Sequence, residues 1–331
     1  MILLDAAFEY VQGTTKHGGL VVASGARVVY ERYFGMGSAE ATPNLASVGK
    51  AFTSIAVGIL MPDRLDQKVA PLLGLKDPRK QEIRLGHLLA MSSGLRGNNP
   101  CYVRGKPVTI DPAGPDGWQA MVDQTALNVG MWCEPGAGYS YATAGVHLAS
   151  MIVRRVAGME LEVFLAERLM RPLGFGRWGF GYLRPELRHT PGGGGVAVRS
   201  ADMLKFGRLL LQQDRWENRQ IVPRGYVRQC GRLTRYNPHF PYSFQFEVNG
   251  DGHVKGAPRD AFWKSGSGGH CIYVVPSLNL VVWKLGGREE QYRELAWEGV
   301  RYDGSREAWK PAGDITNSTE RTLELVVEAM R

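Results

Sequence analysis

The stretch from Ser47 to Met61, "SVGKAFTSIAVGILM", holds a single charged residue, Lys50. Val48, Ala51, Phe52, Ile55 and Ile59 recur at helical spacing, and Ala56 and Leu60 widen the apolar face. A helix this apolar belongs in an interior. An unpaired ammonium there is costly enough to lower its own pKa. Any fold for this chain must therefore bury the helix and give Lys50 a partner or a task.

The 331 residues, 44% of them hydrophobic, suffice for one large core or two smaller ones. The formal net charge of +8 is diffuse. Its densest clusters, "RPELRH" and "KDPRKQEIR", mix signs and carry no interleaved aromatic platform, which argues against a nucleic-acid partner. Cys101, Cys133, Cys230 and Cys271 show no CxxC spacing and read as free, partly buried thiols. The seven histidines form no HExxH or HxxxH run, so nothing points to a metal. The opening "MILLDAAFEYVQ" has Asp5 inside its apolar stretch and no basic leader, and reads as an amphipathic helix. No run reaches transmembrane length. As written the chain reads as cytoplasmic, or as periplasmic or secreted if a leader has been removed.

"GGLVVASGARVVYERYFG" gives two β-rich runs around Ser24-Gly25, a hairpin signal. The helix from Ser47 follows and Pro62 ends it. Residues 81–185 are expected to be mostly helical, with long loops at "SSGLRGNNPCY" and "TIDPAGPDGW" and a helix break at Gly158. "TPGGGGVAVRSADMLKFGRLLL" reads as a glycine bend, a short strand and a helix N-capped by Ser200. "YSFQFEVNG", "DAFWKSG", "HCIYVVP" and "LNLVVWKLGG" read as strands, with a tight turn at "SLN". A final helix, "TERTLELVVEAMR", closes the chain. Strands at both ends with helices between suggest one antiparallel sheet built from 1–61 and 186–331, with a largely helical insertion over 62–185. A cleft is expected at the seam.

Three stretches carry candidate chemistry. Ser47 and Lys50, three apart, share a helix face. A serine hydroxyl becomes nucleophilic when a base takes its proton, and a desolvated lysine can serve or orient that base. Free backbone N–H groups in a first helical turn suit an oxyanion. The alternative is a lysine snorkelling from a core helix. In "EPGAGYSYATAG", Tyr141 stands at a loop–helix junction, where nearby cations would turn its phenol into a base; it would otherwise fill a corner. In "FWKSGSGGHCIYVV", Lys264, Ser265 and Gly266 end a strand where a substrate backbone could lie, with Ser267 offering an amide; a β-bulge is the plainer reading.

In this order the three stretches resemble the penicillin-recognising serine hydrolases. The likeness is to the branch holding class C β-lactamases, related carboxylesterases, D-aminopeptidases and 6-aminohexanoate-dimer hydrolases. "LGHLLAMSSGL", "PGAGYSYATAG", "GGGGVAVRSADMLKFGRLLL" and "SGSGGHCIYVVPSLNLVVWKLG" are similar to that family's connecting segments. The resemblance implies an α+β, β-lactamase/transpeptidase-like fold and a cofactor-free enzyme acting on a small ester or amide. It makes Ser47 the acylated nucleophile, Lys50 its helix partner and fellow base, and Tyr141 the general base or proton shuttle. Lys264, Ser265 and Gly266 become the substrate-side strand, and the amides of Ser47 and Ser267 the oxyanion hole. A β-lactamase or D-Ala-D-Ala peptidase, and an inactive peptide- or peptidoglycan-binding relative, are the alternatives.

Two residues depart from the family pattern. Thr143 stands where Tyr-x-Asn is usual, which speaks against efficient β-lactam turnover, whereas Lys264 stands where many of the esterases have histidine. His87 and His147 are expected to be structural, as is Cys271. His270, after the glycine bend, is a candidate for the cleft mouth. Tyr139 and Trp263 are candidates for either pocket or core. The glycines at 192–195 lack a following Gly-Lys-Ser/Thr and read as a tight bend beside the site rather than a phosphate loop.

Overall fold

The computed structural model describes residues 2–181, 186–213, 215–217, 219–293 and 319–331. Helix α1 (Ile2–Thr14) buries Leu4, Ala7, Phe8 and Val11 at helical spacing. Strands β1 (Gly18–Ser24) and β2 (Arg27–Phe34) form the expected hairpin, turning through Gly25 at φ 56°. The segment carrying Ser47 begins as one 3-10 turn, Ala46–Val48, and continues as α2 (Gly49–Leu60). Every residue of α2 from Gly49 to Gly58 is buried, as its composition requires.

Residues 98–108 depart from the expected loop. Strands β3 (Asn98–Val103) and β4 (Lys106–Val108) turn through Arg104 and Gly105, both at positive φ, and pair with β5 (Tyr139–Tyr141) in a three-stranded sheet. Pro100 and Pro107 hide these strands from a propensity reading. The ladder tolerates Pro100 because its register slips between Asn98 and Tyr102.

Helix α3 (Thr143–Ala157) ends where expected, at Gly158 in the left-handed region. Helix α4 (Ser200–Leu211) begins at Ser200, but Arg199 occupies the cap position and no side chain caps it. The Ser200 hydroxyl instead accepts a 2.8 Å bond from the Trp283 indole, so its expected capping role is corrected.

The run "YSFQFEVNG" contributes only β6 (Glu247–Val248) to a ladder. Gln245, at φ 68°, breaks the extended path, and its amide and side chain both bond to the Leu89 carbonyl. Strands β7 (Phe262–Gly266), β8 (His270–Val275) and β9 (Leu280–Leu285) follow, with a 3-10 turn at Pro276–Leu278, and α5 (Thr319–Met330) completes the described chain.

The main sheet runs β6-β7-β8-β9-β1-β2, antiparallel throughout. Leu20, Val22, Trp263, Cys271, Tyr273 and Val282 face α1 and α5. Val21, Phe262, Ile272, Val274, Val281 and Trp283 face α2 and α4. This is the expected α+β architecture, an antiparallel sheet flanked by the first and last helices. Among the described residues no helix is long and apolar enough to cross a membrane.

Candidate active site

The turn carrying Ser47 is held on two sides. A Cβ on Gly49 would lie 3.0 Å from the Gly194 Cα, so the glycine bend packs directly on the helix start. A Cβ on Gly266 would run into the Leu45 carbonyl and approach the Val48 nitrogen, so the end of β7 lies flat against the same turn. Ala46 sits at φ 49°, and its N–H is held by the Asn44 side chain at 2.9 Å. Such backbone persists only where its surroundings determine it, and it costs about 1–3 kcal/mol. Ser47 itself is half-buried.

Lys50 has a partner. Its Nζ donates to Ser47 Oγ at 2.9 Å and to the Gly193 carbonyl at 2.6 Å. Burial lowers its pKa, Tyr141 acts the other way, and Lys264 adds to the lowering. On the far side of Tyr141, Lys264 Nζ donates to the phenol oxygen at 3.1 Å. The Lys50 and Lys264 nitrogens lie 5.0 Å and 5.1 Å from the Tyr141 ring centre. Burial alone would raise the Tyr141 pKa. The fields of Lys264 and Lys50, with hydrogen bonds involving Ser47 and Lys264, outweigh it and hold the phenol below its ordinary value. Lys264 and Lys50 on either side thus favour the deprotonated phenol, the form that a base beside Ser47 would need.

Of the residues singled out by sequence, Ser47, Lys50, Tyr141 and Lys264 come together, with Gly266 beside them. Ser265 does not join through its hydroxyl. Strand alternation sends Lys264 and Gly266 toward the Ser47 turn and Trp263 and Ser265 to the opposite face. There Glu247 accepts from Trp263 Nε1 at 2.8 Å and from Ser265 Oγ at 2.9 Å. Trp263 is thus core. Ser267 is exposed just beyond the strand, and its carbonyl accepts from Gln291 Nε2 at 3.1 Å. Thr143, at the start of α3, donates to Asp116 at 3.4 Å and turns its methyl toward Gly193.

His87 lies outside the cluster; burial pushes it down to about 4, and its Nδ1 accepts from Arg84 N–H. His270 is fully buried, stacked on Trp283 and bonded to Gly286 N–H, which removes it from the cleft mouth. Cys271 is buried within its strand, and all four cysteines are free. Tyr139 stacks on Phe240 at 4.5 Å in an aromatic cluster behind Tyr141. His147 is structural but close by. Its Nδ1 accepts from Gly192 N–H and its Nε2 meets Asp123 at 2.9 Å, while Thr53 binds the Gly192 carbonyl at 2.6 Å. That network fixes the peptide preceding the Gly193 carbonyl on which Lys50 rests. Among the described residues no three His, Cys, Asp or Glu side chains converge as metal ligands would.

Two participants escape sequence reasoning. Tyr242 OH accepts from Lys264 Nζ at 3.1 Å and donates to Gln245 Oε1 at 3.1 Å, so it anchors the ammonium on Tyr141. Gln291 Nε2 bridges the Asn44 and Ser267 carbonyls, tying the Ser47 turn to the end of β7. Gln291 sits in the charged run "GGREEQYRE" and Tyr242 in "NPHFPYSF", so neither carries a sequence signal that sets it apart.

The beta-lactamase family model matches residues 5–301. The chain belongs to the beta-lactamase family. Among solved structures it is similar to a penicillin-binding protein homologue from Caulobacter crescentus, at 16% identity and a TM-score of 0.68, covering 100% of this chain and 97% of that one. It is also similar to a beta-lactamase/D-alanine carboxypeptidase from Yersinia pestis, at 18% identity and a TM-score of 0.66, covering 99% and 98%. A third is EstCE1, a hydrolase with promiscuous acyltransferase activity, at 16% identity and a TM-score of 0.65, covering 88% and 94%. No curated protein matches the chain by sequence. Family and neighbours identify a hydrolase fold of the beta-lactamase type.

Proposed function

We propose that the protein is a serine hydrolase that cleaves a small ester or amide through an acyl-enzyme on Ser47. The observation that carries this reading is the 2.9 Å bond from buried Lys50 to Ser47 Oγ, with Tyr141 held between Lys50 and Lys264. Ser47 Oγ attacks the carbonyl carbon while its proton passes to the Lys50–Tyr141 pair. The amides of Ser47 and Ser267 receive the developing oxyanion. The pair then protonates the leaving alcohol or amine as the carbon–heteroatom bond breaks. Water enters, loses its proton to the same pair, and releases the acid and free Ser47.

An ester or small amide is favoured over a β-lactam because Thr143 lacks the carboxamide of the family's usual asparagine and its hydroxyl is engaged by Asp116. The test compares the protein with its Ser47→Ala variant on p-nitrophenyl butyrate, a chromogenic cephalosporin and a fluorophosphonate, following product and intact mass. Ester turnover and a single covalent adduct, both lost in the variant, are expected. Cephalosporin turnover exceeding that of the ester would make it a β-lactamase. Folded protein with neither adduct nor turnover would leave a peptide-binding relative.

A further inference from the structure

His147 touches none of the reacting atoms, yet two other elements converge on it. It is fully buried on α3. Its Nε2 meets Asp123 Oδ1 at 2.9 Å, on the short helix Asp123–Asn128, and its Nδ1 lies 3.3 Å from the Gly192 nitrogen in the glycine bend. From α2, Thr53 donates to the Gly192 carbonyl at 2.6 Å, and Lys50 Nζ to the Gly193 carbonyl at 2.6 Å. A Cβ on Gly192 would lie 2.2 Å from Ser150 Cβ, and one on Gly193 2.6 Å from Thr143 Cγ2. Bare backbone therefore packs on α3, and His147 and Thr53 hold Gly192 by its N–H and its carbonyl.

The ring proton has one place. Asp123, Arg154 and His189 are the charged or titratable groups that face the ring. Burial, opposed by Asp123, holds the imidazole pKa below its ordinary value, so the ring is neutral at pH 7. Burial would raise the Asp123 carboxyl, but bonds from His147 and Arg154 keep it ionised, and a carboxylate only accepts. His147 thus carries its proton on Nε2 and presents the Nδ1 lone pair to Gly192 N–H. A proton on Nδ1 would turn instead to Ser150 Oγ at 3.3 Å, and Gly192 N–H would lose its acceptor.

We infer that His147, in the tautomer Asp123 imposes, is a positioning residue for the acyl transfer: it fixes Gly192 so that the Gly193 carbonyl holds Lys50 as an ammonium beside Ser47 and Tyr141. This rests on the hydrolase reading above and adds to it a group that reaches Lys50 only through backbone. Tyr141, Lys264 and Asp116 are the titratable groups that act on the ammonium. A carbonyl accepting from it favours its charged form, and that charge in turn favours the Tyr141 phenolate. A displaced Gly193 carbonyl lowers the Lys50 pKa, so the ammonium is lost at lower pH and the alkaline limb of kcat/KM moves down.

The test measures kcat/KM for p-nitrophenyl butyrate from about pH 5 to 10, with buffer blanks subtracted, and urea unfolding of each variant. His147→Leu removes both contacts; His147→Gln keeps a donor for Asp123 but offers Gly192 no acceptor. Both should lose about 10- to 100-fold, with the alkaline limb lower by about one pH unit. His147→Asn places a side-chain oxygen where Nδ1 was and gives up Asp123. It should recover kcat/KM to within about threefold of wild type, although it unfolds in less urea than His147→Gln. Asp123→Asn reaches the ring from the other side. Arg154 donates to Oδ2 at 2.6 Å and so claims the amide oxygen, which turns the amide nitrogen to His147 and forces the ring proton onto Nδ1. This variant should match His147→Gln in activity. Equal losses in His147→Asn and His147→Gln, activity that follows urea stability, or an alkaline limb unmoved in every variant overturns the inference, while Ser47-dependent turnover keeps the hydrolase reading. Absence of any Ser47-dependent turnover in the wild type removes the hydrolase reading, and this inference with it.

Discussion

Replacing Lys264 with Met removes one of the two cations beside Tyr141 while filling nearly the same volume. The Lys264 nitrogen lies 3.1 Å from the phenol oxygen. At an effective dielectric constant of about 20, an opposite charge at that distance favours the phenolate by at most about 5 kcal/mol. Lys50 remains on the other side and local water relaxes, so about half of that is expected to be lost, roughly 2–3 kcal/mol. That corresponds to a loss in kcat/KM of about 30- to 150-fold at neutral pH. The sign in pH follows from the base being the deprotonated form. Without Lys264 the phenol pKa moves up, so the acid limb of the profile moves to higher pH and the deficit shrinks as pH rises. The assay is kcat/KM for p-nitrophenyl butyrate from about pH 5 to 9.5 with buffer blanks subtracted, alongside thermal unfolding. Tyr242 keeps its bond to Gln245 and the replacement is apolar, so the variant should fold. A loss uniform across pH, with the acid limb unmoved, would refute the claim that Lys264 acts through the tyrosine.

Gly266→Ala places a methyl against the Leu45 carbonyl and should cost about 1–3 kcal/mol in urea unfolding, with a larger fall in kcat than in KM because the turn carrying Ser47 must shift. Ser265→Ala removes a hydroxyl bonded to Glu247 on the far face, so kcat/KM should stay within about threefold of wild type; a hundredfold loss would show that the hydroxyl reaches substrate. Burial would raise the Asp123 carboxyl, but hydrogen bonds from His147 and Arg154 outweigh it and hold it well below the ordinary carboxylate range. A depressed folded pKa gives stability that is complete above the unfolded value and lost as pH falls through the folded one. Asp123→Asn should therefore lower urea stability by about 1–2 kcal/mol at pH 7, a deficit that narrows as pH drops below about 4.

The sequence showed what is local. Ser47 and Lys50 meet because three residues along a helix bring them to one face, and the lone charge in an apolar helix marks the buried lysine. The outer strands were visible as β-branched runs. Strand parity was not: residues on both faces of β7 are buried, Phe262 on one and Trp263 on the other, so no polar–apolar alternation reveals which way Ser265 points. Prolines disguised β3 and β4, and a left-handed Gln245 broke the run ahead of β6. Tyr242 and Gln291 were invisible for a different reason. Gln291 meets Asn44 across 247 positions, and Tyr242 reaches the site only through Lys264, which itself meets Tyr141 across 123. Only the closed fold brings them together.

The strand order has a consequence for synthesis on the ribosome. Strand β1 pairs with β9, Gly19 opposite Leu285, so the inner edge of the first hairpin waits for more than two hundred and fifty residues before its neighbour exists. Such distant pairing makes folding slow and leaves an open edge in the meantime. Ser47 and Lys50 emerge early, but Lys264 and the strand that lies on the Ser47 turn emerge late. A nascent chain carries the serine long before it carries the surroundings that the folded site places around it. On the proposed mechanism, reactivity toward a fluorophosphonate would double as a reporter of completed folding, silent until both ends of the chain have met.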